Sequence, residues 1–212
     1  MIDLHTHTVL SDGVLLPTEL IRRCEAKGYR CLVVADHVDT GTAEQVIPVL
    51  VKVCNDVRAT TKMKLKPGAE LTHVRPEHYA DLVRQVRDLG AEVVLAHGET
   101  IVEPVIAGTN RAAIEAGADV LAHPGLITKE DAALAAERGV CLEISGRRGH
   151  SLTNGHVAKL ALEVGADLVF GTDTHTPDDL VARVMAETIA RGAGLSVADT
   201  KRLFVRAEGF FE

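Results

Sequence analysis

Gly117-Ala118-Asp119-Val120-Leu121-Ala122-His123 is the phrase on which the reading of this chain turns. Glycine adopts the left-handed conformation freely and so ends a helix well. Ala118 turns the chain, and Asp119 to His123 then reads as a short strand that stops at a histidine. The phrase has two close copies, Gly90-Ala91-Glu92-Val93-Val94 and Gly165-Ala166-Asp167-Leu168-Val169. Apolar runs without polar alternation suit strands buried on both faces, as in a parallel sheet covered by its crossover helices. The repetition predicts serial βα units.

Working outward, further strands are expected at Ile2–His7, Cys31–Ala35, Ala91–His97, Val140–Ile144 and Asp167–Phe170. Another runs from Leu65 to Leu71, broken by Pro67-Gly68. Between them lie helical patterns. Pro17 opens one that runs to Lys27. Thr42 and Gln45 form a capping-box pattern for a second, with Pro48 in or near its first turn. Others follow from Pro76 to Leu89, Ala107 to Ala116, Thr128 to Arg138 and His156 to Val164. Thr176 caps a helix beginning at Pro177, and Ser196 with Asp199 starts the last. No compositional break interrupts the rhythm, so residues 1–212 read as one α/β domain. Its sheet is a closed or nearly closed barrel, or else a doubly wound open sheet.

The totals narrow the function. Aromatic residues are only 3% and Trp is absent, so the core is built from Ala, Val, Leu and Ile. A net charge of −7 argues against a nucleic-acid surface that works by bulk positive charge. The cysteines Cys24, Cys31, Cys54 and Cys141 show no CxxC spacing and are expected as reduced thiols. Asp3, His5 and His7 interrupt any leader-like apolar run, and no stretch is long enough to span a membrane. These features predict a cytoplasmic protein.

In parallel α/β barrels the site forms at the C-terminal ends of the strands. This chain places His5 and His7, His37, Glu70, His97, His123, Glu143, and Asp173 with His175 at those ends. Residues two apart in a strand point to one side, so His5 and His7 project together. Asp12 adds a carboxylate at the Ser11-Asp12-Gly13 turn. Six of the ten histidines fall in this set. So many ionisable groups tolerate one another only around cations. A single catalytic zinc takes about three protein ligands. The surplus predicts two or three divalent ions with Glu70 as a bridge. Imidazole and carboxylate donors without thiolate suit Zn, Mn or Fe. Multi-metal sites suit phosphoester hydrolysis, because the metals polarise phosphoryl oxygens and lower the pKa of a shared water to about 7.

The motifs Asp3-Leu4-His5-Thr6-His7, Ser11-Asp12-Gly13, Ala35-Asp36-His37, Gly68-Ala69-Glu70, Ala122-His123-Pro124-Gly125 and Gly171-Thr172-Asp173-Thr174-His175 resemble, in order, those of the PHP (polymerase and histidinol phosphatase) family. The resemblance spans nearly the whole chain. It implies a distorted (β/α)7 barrel, TIM-barrel-like, holding up to three metals. It implies that His5, His7, Glu70 and Asp173 hold the first metal and that Glu70, His97 and His123 hold the second. Asp12, His37 and His175 would hold the third. Glu143 is not a direct ligand in that pattern and is expected to orient one.

Ser145-Gly146-Arg147-Arg148-Gly149-His150 follows a strand on the site side. Arg147 and Arg148 are candidates to grip a phosphate, because guanidinium matches its oxygens in a fork. His150 is a candidate to donate a proton to the leaving alkoxide. Lys129 and His73 are weaker candidates, and His78 and His156 read as surface positions on helices. No GxSxG motif is present. The leading expectation is a phosphatase acting on a small phosphorylated metabolite, histidinol-phosphatase-like, using a metal-bridging hydroxide. A phosphodiesterase or nuclease acting on nucleotides or short oligonucleotides is the second reading, although no aromatic stacking platform is evident. A metal-stabilised binding module without catalysis is the third.

Overall fold

Strand Lys64–Leu71, third of the seven along the sheet, runs straight through Pro67-Gly68. We describe residues 1–212 from a computed structural model. In chain order the strands are β1 (Ile2–Asp3), β2 (Cys31–Val34), β3 (His37–Val38), β4 (Lys64–Leu71), β5 (Val93–His97), β6 (Val120–Ala122), β7 (Cys141–Ser145) and β8 (Leu168–Gly171). The helices are α1 (Pro17–Ala26), α2 (Ala43–Arg58), α3 (Tyr79–Asp88), α4 (Thr109–Glu115), α5 (Lys129–Arg138), α6 (Asn154–Val164), α7 (Arg183–Gly192) and α8 (Val197–Gly209).

Every strand pairing is parallel, in the order β1-β2-β4-β5-β6-β7-β8. The two-residue β3 continues the lane of β2, since Val34 pairs with Pro67 and His37 pairs with Glu70. The sheet therefore has seven lanes. It closes at a seam of few bonds: Thr6 bridges Thr174, His7 N donates to Thr174 O (2.8 Å) and Asp173 N donates to His5 O (2.9 Å). The architecture is a TIM-barrel-like α/β fold in one domain, not a doubly wound open sheet.

Both faces of the strands are buried, in two separate clusters. Ile2, Leu4, Cys31, Val33, Val93, Leu95, Val120, Cys141 and Val169 fill the barrel interior. Alternate residues, Leu32, Val34, Val94, Ala96, Leu121, Leu142 and Phe170, lie in the larger cluster beneath the helices. Ala207 and Phe211 join the interior cluster, so the end of α8 plugs the floor of the barrel. The interior is tight at Gly68, where a Cβ would meet Val33 Cγ1 at 2.6 Å. All four cysteines are free and buried. No helix is long and apolar enough to cross a membrane.

Three local expectations need correction. Pro67 does not break its strand: its carbonyl accepts from Glu92 N (2.8 Å), and its missing N–H falls where β5 has not yet begun. Thr42 makes no side-chain cap at α2. Its hydroxyl oxygen instead accepts from Asp39 N (3.0 Å) while its O–H donates to Asp39 Oδ1 (2.9 Å), and Pro48 sits inside the helix, past its first turn. The helix expected at Pro177 is a single 3₁₀ turn, Pro177–Asp179, held by the Thr176–Asp179 capping box. Leu180 then turns extended and buries its side chain, and α7 starts only at Arg183.

Candidate metal centre

At the C-terminal mouth of the barrel a cavity of about 390 Å³ has no hydrophobic residue in its lining. A larger groove of about 640 Å³, near Arg22, Arg30 and Lys64, lies at the other end of the barrel and gathers no cluster of metal-type donors. The chemistry is at the mouth.

Glu70 lies at its centre, fully buried. Its Oε2 is 3.2 Å from His5 Nε2 and 3.4 Å from His7 Nε2, while Oε1 is 3.4 Å from His123 Nε2. Asp173 Oδ1 lies 3.2 Å from His7 Nε2 and 3.8 Å from His5 Nε2. A second group forms beside them: Asp12 Oδ1 is 3.0 Å from His175 Nε2 and 3.4 Å from His37 Nε2. His97, His123 and His150 converge as a third.

Many of these atoms have no hydrogen-bond partner. His5 Nε2, both nitrogens of His7, both oxygens of Glu70 and Asp173 Oδ1 are all buried and unsatisfied. Each such group costs about 1–3 kcal/mol when left unpaired, more when charged. Their convergence fits divalent cations held by nitrogen and oxygen donors. Without a cation the ring balances itself with protons. Burial opposes charge on His5, yet Glu70, Glu143 and Asp173 outweigh it and raise its pKa well above the usual value. Burial likewise disfavours the Glu70 carboxylate, yet His5 and His37 hold it well below the usual range. His7, desolvated and beside other imidazoles, is pushed down to about 3.

Some of the donors are held by neighbouring groups. Glu143 Oε1 accepts from His5 Nδ1 (2.7 Å), which leaves Nε2 as the lone-pair nitrogen facing Glu70. Its other oxygen accepts from His123 N (2.9 Å). His37 Nδ1 lies 2.6 Å from Thr72 Oγ1 and 2.8 Å from Glu70 Oε2, while its Nε2 faces Asp12. Asp36, buried beside His37, accepts from Thr8 N, Thr8 Oγ1 and Ser11 Oγ (2.7, 2.7 and 2.6 Å) and folds the loop that carries Asp12. Gly13 closes that loop where a Cβ would lie 2.8 Å from His7 O. His123 and Asp173 take left-handed backbone conformations, with φ of 29° and 54°. Such strain, on the order of 1–3 kcal/mol per residue, survives only where surrounding bonds over-determine it.

Glu143→Gln is expected to keep the fold but to weaken metal uptake about 10–100-fold, the usual cost of losing an outer partner of a ligand. Isothermal titration of the metal-free variant checks this.

The structure brings together all of His5, His7, Asp12, His37, Glu70, His97, His123, Asp173 and His175, and sets Glu143 behind them. One pairing differs from expectation. The carboxylate beside His97 Nε2 is Glu103 at 3.1 Å, whereas no contact under 4 Å joins His97 to Glu70. Glu103 is drawn down to about 2, chiefly by its bond from His97. Arg147 lines the cavity, its Nη1 donating to Asp173 O (3.1 Å) and lying 2.7 Å from His175 Nδ1. Arg148 is exposed and does not line it. His150 is buried at the cavity wall with Nδ1 2.7 Å from Thr100 Oγ1. His73 stands at the rim, Lys129 pairs with Glu163 away from the site, His78 is exposed, and His156 bonds Ile127 O (2.8 Å). Sequence reasoning missed Glu103, Thr72 and Thr100, and gave Asp36 no role beyond its place in the Ala35-Asp36-His37 motif. Only their position on loops just past strand ends marked them.

No family model matches the chain. Over 202 residues it is 42% identical to an uncharacterized protein of Methanocaldococcus jannaschii, covering 92% of this chain and 90% of the relative. It is 30% identical over 203 residues to a probable phosphatase of Shewanella sp. (strain MR-4), covering 82% and 76%. Among solved structures, histidinol phosphate phosphatase from Lactococcus lactis, complexed with zinc, L-histidinol and phosphate, superposes with a TM-score of 0.64 at 16% identity, covering 92% and 94%. Aspergillus niger ochratoxinase superposes at 0.66 with 13% identity, covering 98% of this chain and 70% of that one. At such identities the structural likeness is one of fold.

Proposed function

This chain belongs to the PHP (polymerase and histidinol phosphatase) family, and on that footing we propose that it is a metal-dependent phosphomonoesterase acting on a small phosphorylated metabolite. One observation carries the reading: a closed ring of buried, unsatisfied imidazole and carboxylate atoms with an arginine at its edge.

His5, His7, Glu70 and Asp173 would hold one ion, and Glu70 with His97 and His123 a second. Asp12, His37 and His175 would hold a third. Divalent Zn, Mn or Fe bound there supplies Lewis-acid polarisation of the phosphoryl oxygens and an activated water. Glu70 faces two subsites with different oxygens, which supports its bridging role.

Arg147 spends Nη1 on Asp173 O and His175, and leaves Nη2 without a protein partner. That free edge is placed to bind a phosphate oxygen at the cavity. Arg148 has no such position. His150 is pushed down to about 4 by burial and by His123. It therefore stays neutral, and with Thr100 donating to Nδ1 it would offer an Nε2–H hydrogen bond to the leaving oxygen. This softens its expected role from giving a proton to steadying one.

The test uses protein reconstituted with Mn, Zn or Fe. Nitrophenyl phosphate is expected to be hydrolysed faster than bis(nitrophenyl) phosphate. The reverse preference would favour a phosphodiesterase, and full metal loading with neither activity would favour a binding module. In the active protein, Arg147→Ala is expected to lower kcat/KM about 10–100-fold, the worth of one charge-assisted hydrogen bond of about 1.5–3 kcal/mol.

A further inference from the structure

The three subsites are not equally provided with charge. The third has Asp12, whereas the second faces one oxygen each of Glu70 and Asp173, and both carboxylates also face the first. His97 and His123 otherwise bring neutral nitrogen. A carboxylate outside the strand-end motifs stands at that gap. Glu103 Oε2 is 3.1 Å from His97 Nε2, and Oε1 is 3.5 Å from His150 Nε2. Both oxygens thus face imidazole nitrogens at the cavity, while the back nitrogen of His97, Nδ1, is buried without a partner.

The loop that carries Glu103 is built to hold it there. It leaves β5 through Gly98, where a Cβ would meet Ala122 O at 2.4 Å. Glu99 Oε1 then accepts from Gly108 N and Asn110 N (3.0 and 2.9 Å), which ties the two ends of the loop together. Asn110 accepts from Glu99 N (2.9 Å) and donates to Pro124 O (2.9 Å), fixing the loop to the turn after His123. Thr100 of the same loop holds His150.

We propose that Glu103 is a further metal ligand, supplied by the loop between β5 and α4 to complete the second subsite with His97 and His123. The inference rests on the family reading of the centre as a metal site. Glu103 gives the second cation a carboxylate that faces no other subsite.

The experiment reads metal binding, not turnover. Wild-type, Glu103→Gln and Glu103→Asp proteins are stripped with chelator, checked for an unchanged circular dichroism spectrum, and titrated with Co(II). Calorimetry and visible absorption follow the titration. Glu103 is 37% exposed, so the variants are expected to fold. Wild type is expected to bind more than one Co(II). Glu103→Gln should bind one class of Co(II) at least tenfold more weakly, with altered absorption for that class only, and Glu103→Asp should recover most of the loss. Identical stoichiometry, affinities and spectra in Glu103→Gln would overturn the proposal while leaving the metal centre intact. A wild-type protein that binds no Co(II) would instead sink the metal-site reading, and this inference with it.

Discussion

Glu70→Gln is expected to abolish measurable phosphatase activity, a loss of at least about a thousandfold, and to release more than one metal equivalent. Outer partners of ligands cost about 10–100-fold when removed, and a residue shared by two ions should exceed that. The argument lies in its two oxygens. Oε2 faces His5 and His7, Oε1 faces His123, and neither has a hydrogen-bond partner in the protein. Glutamine keeps the shape but loses the charge, and one of its two positions becomes an NH₂ that cannot bind a cation. Loss of a single equivalent, with the second ion retained, would show that Glu70 serves one ion only. Elemental analysis of purified variant and wild type distinguishes the two outcomes. The fold should survive, because Glu70 lies above the apolar interior and not within it.

The donor ring was readable before any coordinates because of how parallel strands are buried. A strand covered on both faces is apolar along its length, so its first polar residue marks where it emerges into the mouth. That rule marks His97, His123 and Glu70; His97 and His123 line the cavity, and Glu70 is buried 3.4 Å from His123 Nε2. Loops obey no such rule. Glu103 sits six residues past the end of β5, in a segment with no periodicity, and its place depends on Glu99 and Asn110 tying the loop shut. Arg147 and Arg148 are indistinguishable in sequence, yet only one points inward, because the turn between β7 and α6 sends neighbouring side chains apart. Competition between donors is equally hidden. Thr42 and Gln45 match a cap, but the Thr42 hydroxyl oxygen accepts from Asp39 N instead. The seam was beyond sequence as well, since closure rests on a few bonds between Thr6 and Thr174 that any open sheet would lack.

Removing the metals is expected to lower Tm by about 8–16 °C for each ion held at a thousandfold excess over its Kd. Binding to the folded state alone contributes about 4 kcal/mol at that ratio. A chain of this size shifts by about 2–4 °C per kcal/mol. Chelator-treated and reloaded protein compared by calorimetry gives the measurement. A shift that stays within about 2 °C would mean that the buried donors are satisfied without cations. The size of the shift should also depend on pH. In the metal-free protein the His5, His37 and His97 imidazoles have pKa values raised, against burial, by Glu70 and, for His97, by Glu103. Their contribution to stability is complete below the unfolded value of about 6.5 and is lost as pH rises through the folded values. His7 and His150, both pushed down, are already neutral in that window. Metal-free protein should therefore become less stable as pH rises above about 6.5, while cations bind more tightly because fewer protons must leave. The gap in Tm between loaded and stripped protein should widen from pH 7 to pH 8.5, and a gap that narrows would show that protons and metals do not share these nitrogens.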